Sequence, residues 1–203
     1  MFTGIVEKLG HVVSVETDEA GARFLISTGY TDLALGESVA VNGVCLTVAE
    51  QPLPEQALFF ASLETLRRSN LAQIHRDSTL NLERALTQST RLSGHWVQGH
   101  VDGVARLCAS APEGESFRLE FALDSALGRY CIEKGSITLN GVSLTLSQVA
   151  DTDTGETRIT VHLIPYSWKH TNISALKVGD FANVEVDVFA KYVERLCQPY
   201  LKR

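Results

Sequence analysis

Val39-Ala40-Val41-Asn42-Gly43-Val44-Cys45-Leu46-Thr47-Val48 reads as a β-hairpin, and it recurs as Ile137-Thr138-Leu139-Asn140-Gly141-Val142-Ser143-Leu144-Thr145-Leu146. Asn-Gly between alternating apolar residues is the strongest short-range signal for two antiparallel strands joined by a type I′ turn, because both turn residues must take positive φ. With a two-residue loop, Val41 faces Val44, Ala40 faces Cys45 and Val39 faces Leu46. Strand side chains alternate, so Val39, Val41, Val44, Leu46 and Val48 share one face and Ser38, Ala40, Cys45 and Thr47 the other. In the second copy Ile137, Leu139, Val142, Leu144 and Leu146 oppose Ser136, Thr138, Ser143 and Thr145. The first face is core. The second is small, polar and uncharged, and two readings of it stand open. An ordinary solvated strand face is one. The other is a ligand wall, since solvated strands usually carry long charged side chains, while small hydroxyl and thiol groups leave room for a planar ligand.

The repeat extends well beyond the hairpins. Gly4-Ile5-Val6-Glu7 returns as Gly99-His100-Val101-Asp102, and Leu80-Asn81-Leu82-Glu83 as Ala182-Asn183-Val184-Glu185. The offset grows slowly along the chain, as it does for collinear copies with small insertions in the second. Copies of this length are too long for solenoid units and suit two tandem domains. The expected division is 1–96, 97–188 and a terminal segment 189–203, with a linker near Arg91-Leu92-Ser93-Gly94-His95-Trp96.

Each copy reads mainly as short strands, among them Gly10–Val15, Phe24–Ser27, Leu58–Ala61, Val104–Leu107, Ser116–Phe121 and Arg158–Leu163. Such density implies small closed barrels, in which closure removes exposed strand edges. Brief helical turns are expected at Glu64–Arg67 and Asp124–Tyr130. After Asp187 the period changes, and Phe189, Tyr192, Val193, Leu196 and Tyr200 recur at helical spacing. That stripe either covers its own barrel or joins subunits. Pro199 is expected to end the helix before the Lys202-Arg203 tail.

Composition narrows the function classes. A formal charge of −6 opposes a nucleic-acid surface, which must neutralise phosphates. No apolar run reaches the roughly 18 residues of a membrane span, and the opening Met1-Phe2-Thr3-Gly4 lacks a signal peptide's basic region. Cys45, Cys108, Cys131 and Cys197 are widely spaced, which fits neither a zinc site nor a disulfide framework and points to a reducing cytoplasm. His95 and His100 are not spaced as helical metal ligands, and no metal site is expected.

At Met1–Glu7, Asn42–Val48, Gly94-His95-Trp96-Val97-Gln98-Gly99-His100-Val101-Asp102, Asn140–Thr145, His162–Pro165 and Asp187–Arg195 the chain closely resembles the riboflavin synthases, in order and over both halves. The resemblance implies an all-β fold of two tandem Greek-key, closed six-stranded barrels with a C-terminal amphipathic helix. It implies a transferase that dismutates two molecules of 6,7-dimethyl-8-ribityllumazine. One donates a four-carbon unit to the other, giving riboflavin and 5-amino-6-ribitylaminouracil without metal or redox cofactor. It further implies a homotrimer whose active sites lie between barrels of different subunits, with lumazine synthase as a candidate partner. A non-catalytic lumazine-binding antenna protein is the rival within the same fold.

By the same resemblance, the N-terminal pocket takes in Gly4, Ile5, Val6, Ser38, Cys45, Leu46, Thr47 and Phe60-Ala61-Ser62-Leu63-Glu64-Thr65. The C-terminal pocket takes in Gly99, His100, Val101, Lys134, Ser143, Leu144, Thr145 and Ile164-Pro165-Tyr166-Ser167-Trp168-Lys169. Catalytic candidates are His100, Cys45, Ser38, Thr145 and Asp187. His100 is the leading candidate for proton transfer, since imidazole titrates near neutrality; its alternative is a structural histidine in a Gly-His turn. Cys45 is a nucleophile candidate or a small wall residue. Ser93, Tyr166 and Ser167 depart from the family pattern, which commonly has Gly at the first and His or Glu followed by Thr at the others.

Overall fold

A computed structural model of the chain describes residues 1–201, so the Lys202-Arg203 tail lies outside the described residues. Both Asn-Gly turns form as their sequence dictates. Asn42 and Gly43 take φ of 47° and 79°, and Asn140 and Gly141 take 46° and 78°. Strands β3 (Ser38–Val41) and β4 (Val44–Glu50) pair with Val41 opposite Val44 and Ala40 opposite Cys45. β9 (Ser136–Leu139) and β10 (Val142–Asp151) pair with Leu139 opposite Val142 and Thr138 opposite Ser143.

Around these hairpins two barrels close. The first comprises β1 (Lys8–Asp18), β2 (Gly21–Ser27), β5 (Gln56–Ser62) and β6 (Thr79–Arg84) with the hairpin, in the order β1-β2-β5-β4-β3-β6. The second comprises β7 (Gly103–Glu113), β8 (Ser116–Asp124), β11 (Glu156–Leu163) and β12 (Phe181–Val186) with its hairpin, in the equivalent order β7-β8-β11-β10-β9-β12. Bulges in β1, β4, β7 and β10 bend the strands, as closure of so small a sheet requires. Apolar faces fill each interior. Phe24, Ile26, Val39, Phe59 and Leu82 are buried in the first core, and Leu119, Phe121, Ile137, Ile159 and Val184 in the second.

The barrels meet through six asparagines. Asn81 donates its backbone N–H to Asn42 Oδ1 at 2.9 Å and its side-chain amide to the Asn140 carbonyl at 2.8 Å. Asn183 repeats this toward Asn140 Oδ1 at 2.8 Å and the Asn42 carbonyl at 2.9 Å. Asn70 and Asn172 complete the set, donating to Asn140 Oδ1 and Asn42 Oδ1 respectively. Buried amides are costly unless paired, and here they specify how the halves join.

The helices are short except at the end. α1 (Leu63–Arg68) is capped by Ser62, α2 (Ser125–Gly128) by Asp124, and α3 (Pro165–His170) begins on its proline. α4 (Val188–Leu201) is the expected amphipathic helix, but it does not cover its own barrel. Phe189, Tyr192 and Val193 are each 61% exposed, Leu196 70% and Tyr200 76%. The helix is anchored near its root instead. Val188 is buried, Lys191 donates to Asp102 at 2.6 Å, and Glu194 accepts from the Tyr130 hydroxyl and pairs with Arg129. One expectation fails: Pro199 lies inside α4, which continues to Leu201. Proline removes one N–H bond to the carbonyl four residues back, and this close to a terminus few further bonds depend on it. Among the described residues, no helix is long and apolar enough to cross a membrane. The four cysteines are unpaired, and burial pushes the Cys131 thiol up to about 11.

Candidate functional site

What covers the small polar hairpin faces is the chain itself. Ala40 and Thr138 are buried, Cys45 and Ser143 half-buried, and Thr47 and Thr145 exposed. Two extended straps, residues 1–7 and 96–102, lie over these faces. They pair with each other at Phe2 and Val97, whose backbone groups exchange bonds of 2.8 and 3.2 Å. The segment 91–96 is therefore no free linker, because its end is tied to the first strap. Phe2, Val97 and Ala40 then bury one another.

Beyond that pairing the straps cross. Cys45 donates its backbone N–H to the Gly99 carbonyl at 2.8 Å, and Ser143 donates to the Gly4 carbonyl at 2.7 Å. Val101 packs against the first core and Val6 against the second. The expected partition of the pockets is thus corrected. Gly99, His100 and Val101 belong with Cys45, and Gly4 and Val6 belong with the second barrel. Contact this close requires glycine: a Cβ on Gly99 would fall 2.6 Å from that of Cys45, and one on Gly4 2.7 Å from that of Ser143. Both glycines also have φ near +78°.

The first cleft encloses about 180 Å³ between Val44, Cys45, Glu64, Thr65, Arg68, Ser69, Gly99, His100 and Val101. Its rim is polar. Ser62 caps α1 by accepting from the Thr65 N–H, and Arg68 pairs with Glu64 at 2.5 Å. Ser62, Leu63 and Phe60 are exposed, and Ser38 is half-buried opposite Thr47. Leu46, Ala61 and Leu144 send their side chains into the barrels because strand side chains alternate, so only main-chain atoms could serve a ligand there. In the second half, Ile164 and Tyr166 are exposed, and Tyr166 stacks on His170. Trp168 is held away by stacking on Phe117 at 3.8 Å. Pro165, Lys169 and Ile5 are exposed and Ser167 is half-buried. Lys134 is exposed on the turn before β9, with φ +65°.

His95 is the residue that sequence reasoning undervalued. Its Nδ1 lies 2.7 Å from Ser143 Oγ and its Nε2 3.3 Å from Thr138 Oγ1, which sets the imidazole against the polar face of the second hairpin. Burial holds its pKa below the ordinary histidine value, and the Asp187 carboxylate works in the opposite direction. Asp187 itself lies just past β12 and accepts the Phe189 N–H at 3.0 Å at the root of α4. His100, by contrast, presents an exposed side chain at the first cleft. Two buried glutamates were also missed. Glu83 accepts from Thr3 and Gly4, and Glu185 from the N–H groups of Gln98, Gly99 and His100. The repeated Asn-x-Glu on an otherwise apolar strand was the signal for them.

Two barrels with matching polar faces and crossed straps define a tandem lumazine-binding architecture, and the profile of the lumazine binding domain matches residues 3–85 and 98–187. The riboflavin synthase of Mycobacterium tuberculosis is 42% identical over 200 residues, covering 97% of this chain and 98% of that protein. That of Saccharomyces cerevisiae is 38% identical over 205 residues, covering 96% and 85%. With relatives this similar over nearly its whole length, the chain belongs to the riboflavin synthase family of lumazine-binding-domain proteins. The fold is shared with LumP, solved in complex with 6,7-dimethyl-8-(1'-D-ribityl) lumazine, at a TM-score of 0.80 and 22% identity over 92% of this chain and 99% of that one.

Proposed function

We propose that this chain is a riboflavin synthase: it converts two molecules of 6,7-dimethyl-8-ribityllumazine into riboflavin and 5-amino-6-(D-ribitylamino)uracil. The observation that carries the reading is the near end-to-end 42% identity with an enzyme of that name. Donor and acceptor are the same molecule, so a duplicated barrel supplies two related pockets, and their different roles ask the copies to diverge. Divergence is concrete at the aligned positions Cys45 and Ser143, of which only Ser143 has a histidine hydrogen bond among the described residues. The dismutation balances without any co-reactant, since four carbons leave one ring system and join the other.

The C7 methyl of the lumazine is unusually acidic for a carbon acid, so a base of ordinary strength suffices. His95 with Ser143 fits that role: a largely buried imidazole with a lowered pKa is neutral near pH 7 and can accept the proton. Asp187 then stabilises the imidazolium that forms. His100 and Cys45 face the other ring at the first cleft, His100 as a second proton carrier and Cys45 as wall or nucleophile, while Ser38 and Thr145 offer hydroxyls on the two polar faces. Holding two rings together removes the entropy of a bimolecular encounter, worth up to roughly 7–11 kcal/mol.

The same reading makes the assembly a homotrimer in the cytoplasm, with the exposed stripe of α4 joining subunits, clefts completed between chains and lumazine synthase as a further partner. The units divide near residues 96 and 188. The deciding experiment incubates purified, ligand-free protein with the lumazine and follows riboflavin. Riboflavin formation supports the enzyme; stoichiometric binding without product establishes the antenna reading that the LumP fold allows.

A further inference from the structure

Each strap is tethered to one barrel and forms a wall of the other. Glu185, on β12 of the second barrel, is 4% exposed and accepts N–H bonds from Gln98 at 2.7 Å, Gly99 at 2.8 Å and His100 at 3.0 Å. Gly99 and His100 line the cleft of the first barrel with Cys45 and Thr65. Glu83, on β6 of the first barrel, is 5% exposed. It accepts from the Thr3 N–H at 2.6 Å, the Thr3 hydroxyl at 2.9 Å and the Gly4 N–H at 3.0 Å. That strap lies on Ser143 of the second barrel, through the Gly4 carbonyl.

We propose that Glu185 and Glu83 are positioning residues that act crosswise, Glu185 setting the ligand wall of the first barrel and Glu83 that of the second. The inference rests on the lumazine and riboflavin reading above. Three convergent donors per carboxylate, all N–H groups at Glu185 and two N–H groups with a hydroxyl at Glu83, explain why a charge-bearing group is retained in so dry a place. Bonds to charged acceptors are the stronger kind, and here they hold strap N–H groups that bond to a glutamate and not to a barrel strand. Burial raises both carboxyls above the ordinary glutamate range, with Glu7 adding to the effect at Glu83 and Asp102 at Glu185. Desolvation is the cost of placing these groups, so the straps have a use that offsets it. Glutamine in either place presents an NH₂ where an oxygen must accept, and at least one strap donor is left facing a donor.

The test is a riboflavin titration of the full, isotope-labelled chain, read separately at the amide resonances of Cys45 and His100 and at those of Ser143 and Ile5. Glu185→Gln should weaken the affinity read at Cys45 and His100 by roughly 10-fold or more and leave that read at Ser143 and Ile5 unchanged. Glu83→Gln should do the reverse. A residue that merely stabilises the barrel it belongs to would weaken the site of that same barrel, and such a pattern, or equal loss at both sites, overturns the proposal. Should a glutamine variant not fold, Thr3→Val removes the hydroxyl bond to Glu83 together with the bond that the hydroxyl accepts from the Ile5 N–H, and it should give a smaller loss confined to the second site, read at Ser143; no loss there overturns it. A wild-type chain that does not respond to riboflavin sinks the functional reading. Amide exchange then tests the clamp without ligand: Gly99 and His100 should exchange faster in Glu185→Gln, and unchanged exchange overturns it.

Discussion

At the scale of single residues, the two histidines of the linker region make opposite predictions. His95→Gln removes an imidazole held against Ser143 and Thr138. It should lower kcat by roughly 10²–10⁴, the usual worth of a positioned acid–base group, while riboflavin affinity changes only a few-fold. His100→Gln should affect binding and turnover together, because its side chain stands at the rim of the first cleft. If stopped-flow and titration data show the larger turnover loss in His100→Gln, the assignment of the base reverts to His100. Cys45→Ser gives a mild effect if Cys45 is a wall. The pH dependence has a definite sign. The pKa of folded His95 lies below the unfolded value of about 6.5. Its base form therefore persists into mild acid, and the acid limb of kcat should fall below that value. Folding stability moves the same way: the contribution is complete above about pH 6.5 and declines as pH falls toward the folded pKa, because the unfolded chain binds the proton first. Cys45, Ser143 and Thr138 were legible in the sequence because strand alternation alone puts each on the polar face of its own hairpin. The partner of His95 was not, since Ser143 lies 48 residues away and meets it only because the first strap turns the segment 91–96 back.

At the scale of elements, the hairpins were legible almost completely, from turn type to register, because Asn-Gly and alternation are local signals. Their tips carry a constraint that local signals do not show. Gly43 and Gly141 meet between the barrels, where a Cβ on Gly43 would fall 2.7 Å from the Gly141 nitrogen. Gly43→Ala should cost strain of about 1–3 kcal/mol plus displacement of the facing turn. Each kcal/mol should lower Tm by about 2–4 °C in a chain of this size. Gly36→Ala is the control, since Gly36 has φ +82° with nothing within 4 Å of a new Cβ, so only conformational strain remains. Equal melting temperatures for the two variants would show that the close approach of the turns is unimportant. The C-terminal helix was legible as a period and not as a placement. Periodicity shows an apolar stripe, but whether a barrel lies beneath it depends on the tilt of the helix at its root, fixed here by Asp102, Tyr130 and Arg129.

At the scale of the whole molecule, the duplication was legible and the crossing of the straps was not. Similar halves announce themselves by repeated residues, whereas which half receives which strap is a matter of connection in space. Two expectations follow. Truncation after about Asp187 should leave both barrels folded and able to bind ligand while assembly and turnover are lost together. High protein concentration should partly restore both, because association is a mass-action equilibrium. A truncated chain that sediments as a monomer and turns over at the full rate would refute the shared-site reading. An excised segment of residues 1–96 lacks Gly99–Val101, so its cleft at Cys45 is missing a wall. Lumazine titrations of that fragment should show binding that strengthens with fragment concentration, as a second copy lends its own first strap to the vacant place. Concentration-independent binding would mean that β4 and α1 suffice.

The crossed straps also set a timetable for biosynthesis. The strand edge on which Gly4 rests, at Ser143, is made roughly 140 residues after Gly4 itself, about 7–28 s later at ordinary rates of translation. The first barrel can close on the ribosome from its own strands and hold segment 1–7 through Glu83, but that segment must wait without Val97 beside Phe2 and without the strand edge at Ser143. A segment made before the first barrel is thus fixed only after much of the second has been made. Chaperone contacts and proteolytic nicks during synthesis should concentrate there, and not in the barrel that follows it.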